Sequence, residues 1–193
     1  MILPVFAYGH PVLRKLCEEI SPTYPEINKL IEDMFETMKN AQGIGLAAPQ
    51  IGIPIRLFIV DGSPIAKEEE NEELENFRKV FINAEMLSED GDAWDFNEGC
   101  LSIPEIREPV SRKPYINIRY YDAEFNQHIE RFSDIQARII QHEYDHIEGK
   151  LFVDHLNALK RRLLKRKLTD ISKGKVDIGY KMKFPLVKSK LQS

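Results

Sequence analysis

His142-Glu143-Tyr144-Asp145-His146 is the stretch of this chain whose residue types and spacing can do chemistry. Two histidines four apart on a helix share one face, about one turn apart, so both imidazoles can reach a single metal ion. Glu143 lies between them, beside the metal rather than on it, where a carboxylate can take a proton from water activated there. Histidine is scarce, 5 in 193 residues, so chance rarely produces such a pattern. Two imidazoles leave a catalytic metal one protein ligand short.

Known peptidase classes differ in how they supply that third ligand. One class continues H-E-x-x-H-x-x-G-x-x-H; here Gly149 fits, but Phe152 stands at the last position. Another uses a downstream glutamate, and no glutamate follows Glu148. The remaining strong ligand candidate lies upstream, Cys100 in Glu98-Gly99-Cys100-Leu101-Ser102. Read alone, that cysteine could be a nucleophile, a ligand or a buried thiol. Beside the histidine pair, a Cys/His/His set with an open position is a zinc-type arrangement. Cys17 has no such company and reads as a small buried hydrophobe.

A third stretch, Gly43-Ile44-Gly45-Leu46-Ala47-Ala48-Pro49-Gln50, places two glycines one residue apart, which permits close backbone approach. Ala48 replaces the further glycine of a dinucleotide fingerprint, and no Gly-Lys-Ser/Thr follows, so a phosphate loop is not favoured. A glycine turn and a functional site both remain open here.

The metal helix must be held rigidly. Ser133 and Gln136 form an S-x-x-Q capping box at its start, Ile135, Ile139, Ile140 and Ile147 give it apolar surface, and Gly149 ends it. Upstream, residues 1–24 form an arm with a short helix begun by Pro11. The first long helix spans 25–41, with Ile27, Leu30, Ile31, Met34, Phe35 and Met38 at helical spacing. Strands are expected at 56–60, 79–87 and 93–98, and 115–122 pairs with 128–132 as a hairpin. In that hairpin Ile116, Ile118 and Tyr120 share a face, and His128 is a surface residue. Residues 67–76 are acidic and read as a solvated loop.

After the metal helix, Asp154 can cap another helix carrying Leu156, Leu159, Leu163, Leu164 and Leu168. His155 lies at its start and does no chemistry. Its other face holds Lys160, Arg161, Arg162, Lys165, Arg166 and Lys167, a solvated face or a contact for RNA. Strands and helices do not alternate regularly, which points to an α+β domain. The length suits one domain, and the net charge of −4 argues against bulk nucleic-acid binding. Two cysteines do not make a disulfide framework. No apolar run is long enough to span a bilayer, and no leader is visible, so a reducing cytoplasm is expected.

Together Gly43–Gln50, Glu98–Ser102 and Gln141–His146 resemble the three signature motifs of peptide deformylase, in the family's order; Gly9–Arg14 is similar to its N-terminal segment. The resemblance covers roughly residues 1–168. It implies a single α+β catalytic domain, 1–170, with mostly antiparallel strands around a central metal-binding helix, an N-terminal helix and a C-terminal helix; 171–193 is a basic tail. It implies a bacterial cytoplasmic enzyme that removes the formyl group from the N-terminal formyl-methionine of nascent polypeptides and releases formate. Cys100, His142 and His146 would hold the metal, iron(II) by family habit, with zinc, nickel or cobalt able to substitute. Glu143 would be the general base, and Gln50 and the Leu101 N–H the oxyanion donors. The peptide would lie along Ile44, Gly45 and Gly99. From the residues themselves, a ribosome contact through the basic C-terminal helix stands as the alternative to a merely solvated face. A metallopeptidase cutting unformylated peptides is the rival reading, and its missing third ligand weighs against it.

Overall fold

The computed structural model describes residues 1–187. In chain order the elements are β1 (Val5–Phe6), α1 (Ile27–Asn40), β2 (Gly45–Ala47), β3 (Leu57–Asp61), β4 (Arg78–Asp90), β5 (Trp94–Cys100), β6 (Ile103–Arg112), β7 (Tyr115–Tyr121), β8 (Gln127–Ser133), α2 (Asp134–Ile147), α3 (Ala158–Ser172) and β9 (Met182–Lys183). The main sheet is antiparallel in the order β2-β3-β4-β7-β8; β5 and β6 form a separate hairpin, and β9 lies parallel to β1. This is the α+β domain of mostly antiparallel strands, with the metal-motif helix packed against the sheet, that the motifs imply.

Strand alternation divides the core. Ala47, Phe58 and Val60 point to one face, where they meet Ile139, Ile140 and Ile147 of α2. Leu46, Leu57 and Ile59 point to the other, where they meet Ile31, Met34 and Met38 of α1. The sheet is thus gripped between two helices. A further cluster joins Ile103, Ile106 and Val110 of β6 to Phe152, Leu164, Leu168 and Ile171, so α3 closes over the hairpin.

The glycine-containing stretch at 43–50 is a buried strand, β2, followed by a 3₁₀ turn at Ala48–Ile51. β6 went unseen in the sequence because Pro104 and Pro109 interrupt its pattern. A strand with only one partner tolerates them. The acidic segment is mostly exposed, but the fully buried Leu74 pins it to the core.

Two capping expectations need correction, and one of them moves a buried stripe. Ser133 is at the N-cap of α2, yet its side chain makes no cap bond; the Asp134 N–H donates instead to the Pro114 carbonyl. Asp154 does not cap α3. It accepts from the Leu151 N–H and pairs with Arg14, while Asn157 caps α3 by accepting from the Lys160 N–H. Because α3 begins only at Ala158, its buried stripe is Leu164, Leu168 and Ile171, and Leu159 and Leu163 are exposed. Residues 188–193 of the basic tail lie outside the described residues.

Candidate active site

Each site element has a local reason for its place. On α2, His142 and His146 share the face turned toward the β5–β6 hairpin, as helical spacing requires. The hairpin reverses at its tip: register breaks between Gly99 and Cys100, and Cys100 pairs with Ile103 across a two-residue turn. That turn presents Cys100, Leu101 and Ser102 to the helix. One ligand atom each from Cys100, His142 and His146 lies within 4.8 Å of the others. Cys100 Sγ stands 3.3 Å from His146 Nε2.

The donor set fits a metal. Thiolate and imidazole suit first-row transition ions. His142 Nδ1 lies 2.9 Å from Glu98 Oε2, which keeps Nδ1 protonated and frees Nε2 for a ligand role. Burial holds His146 well below its ordinary pKa, in the neutral form that ligates. Burial lowers His142 too, but hydrogen bonds to Cys100 and Glu98 outweigh it and raise the group. A cation shared by the thiolate and the imidazole would displace that proton.

Glu143 is 5% exposed, and its Oε2 has no hydrogen-bond partner among the described residues. Burial pushes its carboxyl up to about 7 against the opposing charge of His142. Gln50 is buried with its amide orientation set by the backbone. Its Oε1 accepts from the Ala47 N–H at 2.8 Å, so its Nε2 faces Ser102 Oγ at 3.2 Å and Cys100 Sγ at 3.5 Å. A cleft of about 680 Å³ opens over these groups, and Ile44, Gly45, Gly99 and Leu101 line it with Gln50 and Glu143. The structure thus brings together all nine residues singled out from the sequence; only His146 sits behind the cleft wall, almost fully buried. Cys17 and His128 lie elsewhere, one buried and the other paired with Asp122.

Sequence reading missed the ionic network that holds the histidines. Arg112 makes two hydrogen bonds to Glu98, at 2.6 and 2.9 Å, and a third to Asp145 at 2.7 Å. Arg138 donates to Glu98 at 3.0 Å, and His155 Nε2 lies 2.7 Å from Asp145. Burial alone would raise Glu98, but His142 and Arg112 hold it well below the usual carboxylate range. His155, expected at a helix start, lies in a separate 3₁₀ turn, Phe152–His155, as the outer end of this network. A signal for Glu98 existed, since a ligating histidine needs an acceptor on its other nitrogen; Arg112 and Arg138 carry none. Tyr180, also missed, donates to the Leu101 carbonyl at 2.7 Å, and burial beside Cys100 raises its phenol far above the ordinary value.

A family model described as polypeptide deformylase matches residues 2–162. A peptide deformylase of Christiangramia forsetii is 53% identical over 193 residues, covering 97% of this chain and 98% of that protein. One from Flavobacterium psychrophilum is 53% identical over 188 residues, covering 95% of this chain and 97% of that one. The crystal structure of a peptide deformylase from Legionella pneumophila superposes with a TM-score of 0.79 at 32% identity, covering 91% of this chain and 98% of that one. Matched through most of its length in sequence and fold, and carrying a cluster of three possible metal ligands, this chain belongs to the polypeptide deformylase family, metal-dependent hydrolases that take the formyl group from the N-terminal formyl-methionine of nascent polypeptides.

Proposed function

We propose that Cys100, His142 and His146 hold the catalytic metal and that Glu143, Gln50 and Leu101 do the proton transfer and charge stabilisation of deformylation. The observation that supports this most is the closeness of three ligand atoms, within 4.8 Å, beside a buried carboxylate oxygen with no partner among the described residues. When bound, the metal lowers the pKa of water and polarises the formyl oxygen. Glu143 takes the proton from the attacking water and returns it to the amine nitrogen as formate leaves. Glu143 has a free carboxylate oxygen with which to accept and return that proton, with no partner among the described residues.

Gln50 Nε2 and the Leu101 N–H donate toward the oxygen on which charge develops. An amide does so without adding a charge that would compete with the metal for its ligands. The peptide runs in extended form along the free edge of β2 at Ile44 and Gly45 and past Gly99 of β5, pairing backbone to backbone. Iron(II) is the expected ion in the cell, with zinc, nickel or cobalt able to substitute.

The test is formate release from a short formyl-methionyl peptide. Cys100→Ser loses metal and activity together, whereas Glu143→Ala keeps metal and loses most turnover. A Cys100→Ser protein with full metal content would remove the ligand assignment. Gln50→Ala lowers kcat by about 10²- to 10³-fold, the usual effect of deleting one oxyanion donor.

For partners, we infer that the exposed cations of α3, Arg161, Arg162, Lys165, Arg166 and Lys167, dock on ribosomal RNA in a bacterial cytoplasm, where nascent chains emerge. Among the described residues no helix is long and apolar enough to cross a membrane. Neutralising Arg161, Arg162 and Arg166 weakens salt-sensitive cosedimentation with ribosomes; unchanged cosedimentation would remove the contact.

A further inference from the structure

We propose that Tyr180 is a positioning residue for deformylation: its hydroxyl holds the Leu101 carbonyl and thereby keeps the Leu101 N–H aimed into the cleft. The inference rests on the oxyanion role assigned above to that N–H.

Leu101 occupies the tight turn between β5 and β6, where its N–H and C=O belong to two peptide planes hinged at one Cα. Such a donor is useful only if it is fixed before charge develops. The turn is clamped on several sides. The Leu101 side chain packs where a Cβ on Gly43 would come within 2.8 Å of its Cδ1. The next residue, Ser102, has its hydroxyl near Gln50 Nε2 at 3.2 Å and its carbonyl bonded to the Tyr8 N–H at 2.8 Å. Tyr180 supplies the clamp on Leu101 itself, at 2.7 Å.

The segment that carries Tyr180 is built as a strap. It leaves α3 at a turn where the Lys175 N–H donates to the Asp170 carbonyl at 2.9 Å. It crosses the hairpin, where the Asp177 N–H donates to Glu105 Oε1 at 3.0 Å. It then docks through β9 on β1, with Val5 N–H to Lys181 O and Ala7 N–H to Lys183 O, both 2.9 Å, while Met182 and Phe184 pack on the cluster between β6 and α3. The same N-terminal segment continues to Tyr8, which holds Ser102. Strap and turn therefore share one anchor, and a shift of either moves both. Tyr180 lies beyond residue 162, where the family model's match ends. The strap contributes nothing to the Cys100, His142, His146 ligand set, so its effect should appear in turnover rather than in metal content.

The experiment compares Tyr180→Phe, which deletes the hydroxyl and keeps the ring, in two backgrounds of the full metal-loaded chain. One has the natural backbone. The other carries the α-hydroxy analogue of leucine at position 101, so that an ester replaces the amide and the N–H is gone. In the natural backbone Tyr180→Phe lowers kcat about five- to tenfold, the worth of one hydrogen bond, with KM and metal content unchanged. In the ester background the same substitution causes no further loss. Unchanged kcat in the natural backbone, a loss that tracks metal content, or an equal loss in both backgrounds overturns the proposal. An ester chain that turns over at the natural rate instead overturns the oxyanion reading on which it rests. A slow ester chain with a fully active Tyr180→Phe overturns the Tyr180 role alone.

Discussion

The Glu143 carboxylate rests on the bare Cα of Gly45. A Cβ added to Gly45 would lie 2.6 Å from the Glu143 carboxylate carbon, inside any real contact distance. The glycine in β2 therefore does two things. It leaves the strand edge bare of a side chain, and it lets α2 bring the Glu143 carboxylate, the base of the proposed mechanism, against that edge.

The first prediction follows from this contact. Gly45→Ala must displace Glu143, and a shift of about 1 Å in a catalytic group can cost on the order of 10²-fold in rate. The variant should keep its metal, because the three atoms nearest that Cβ all belong to Glu143 and none to Cys100, His142 or His146, yet lose most of its kcat for a formyl-methionyl peptide. Natural kcat with a full metal site would show that Glu143 is not held by Gly45 in any way that matters to turnover.

Glu98 gives the second. It orients His142 and pairs with Arg112 and Arg138 in a buried setting. Glu98→Gln keeps the shape but weakens the acceptor on His142, and metal affinity should fall about 10- to 100-fold. Glu98→Ala also removes the buried carboxylate that Arg112 and Arg138 share and should lower stability by about 3–5 kcal/mol. Metal titration and chemical denaturation measure the two effects; a Glu98→Gln chain that binds metal like the natural one would dismiss the orienting role.

Metal removal is the third. Chelation should abolish formate release and lower Tm, since an ion that binds only the folded chain contributes about 4 kcal/mol when free metal exceeds Kd a thousandfold. Calorimetry before and after chelation, then after reloading with iron(II) without oxygen, follows both. An unshifted Tm would mean that the site contributes nothing to holding α2 against the hairpin.

The two thiols should also differ in reactivity. Burial pushes Cys17 up to about 11. Near neutral pH it stays protonated and unreactive; only as pH rises toward that value does the nucleophilic thiolate form. Alkylation of the native chelated protein at neutral pH, read by mass spectrometry, should spare Cys17 and reach the half-buried Cys100. Labelling of Cys17 as fast as in the denatured chain would contradict its burial.

Far from the chemistry, Phe81 is fully buried, stacked on Phe58 at 4.7 Å and tilted against Tyr120 at 4.3 Å. Phe81→Ala should cost about 3–5 kcal/mol of stability through lost burial and a cavity. Denaturant unfolding measures this directly, and a loss under about 1 kcal/mol, well below the usual cost of such a truncation, would mean the sheet collapses around the gap.

Features that depend on short spacing are legible in the chain without its fold. The four-residue step from His142 to His146 puts both on one helical face whatever the rest of the chain does. The alternation of Ile116, Ile118 and Tyr120 commits them to a single sheet face, and all three are buried. The helix over Ile27–Asn40 follows from its apolar period.

Relationships between distant segments arise only once the chain is packed. The hydrogen bond of Glu98 to His142 spans 44 positions, that of Arg112 to Asp145 spans 33, and that of Tyr180 to Leu101 spans 79. No local pattern encodes such pairs, because a buried charge finds its partner only after hydrophobic packing has set which elements meet. The same reason explains the misread caps and leucines. Whether Leu159 and Leu163 are buried depends on where α3 begins, and that was settled by Asn157 capping the helix and Asp154 turning away to Arg14.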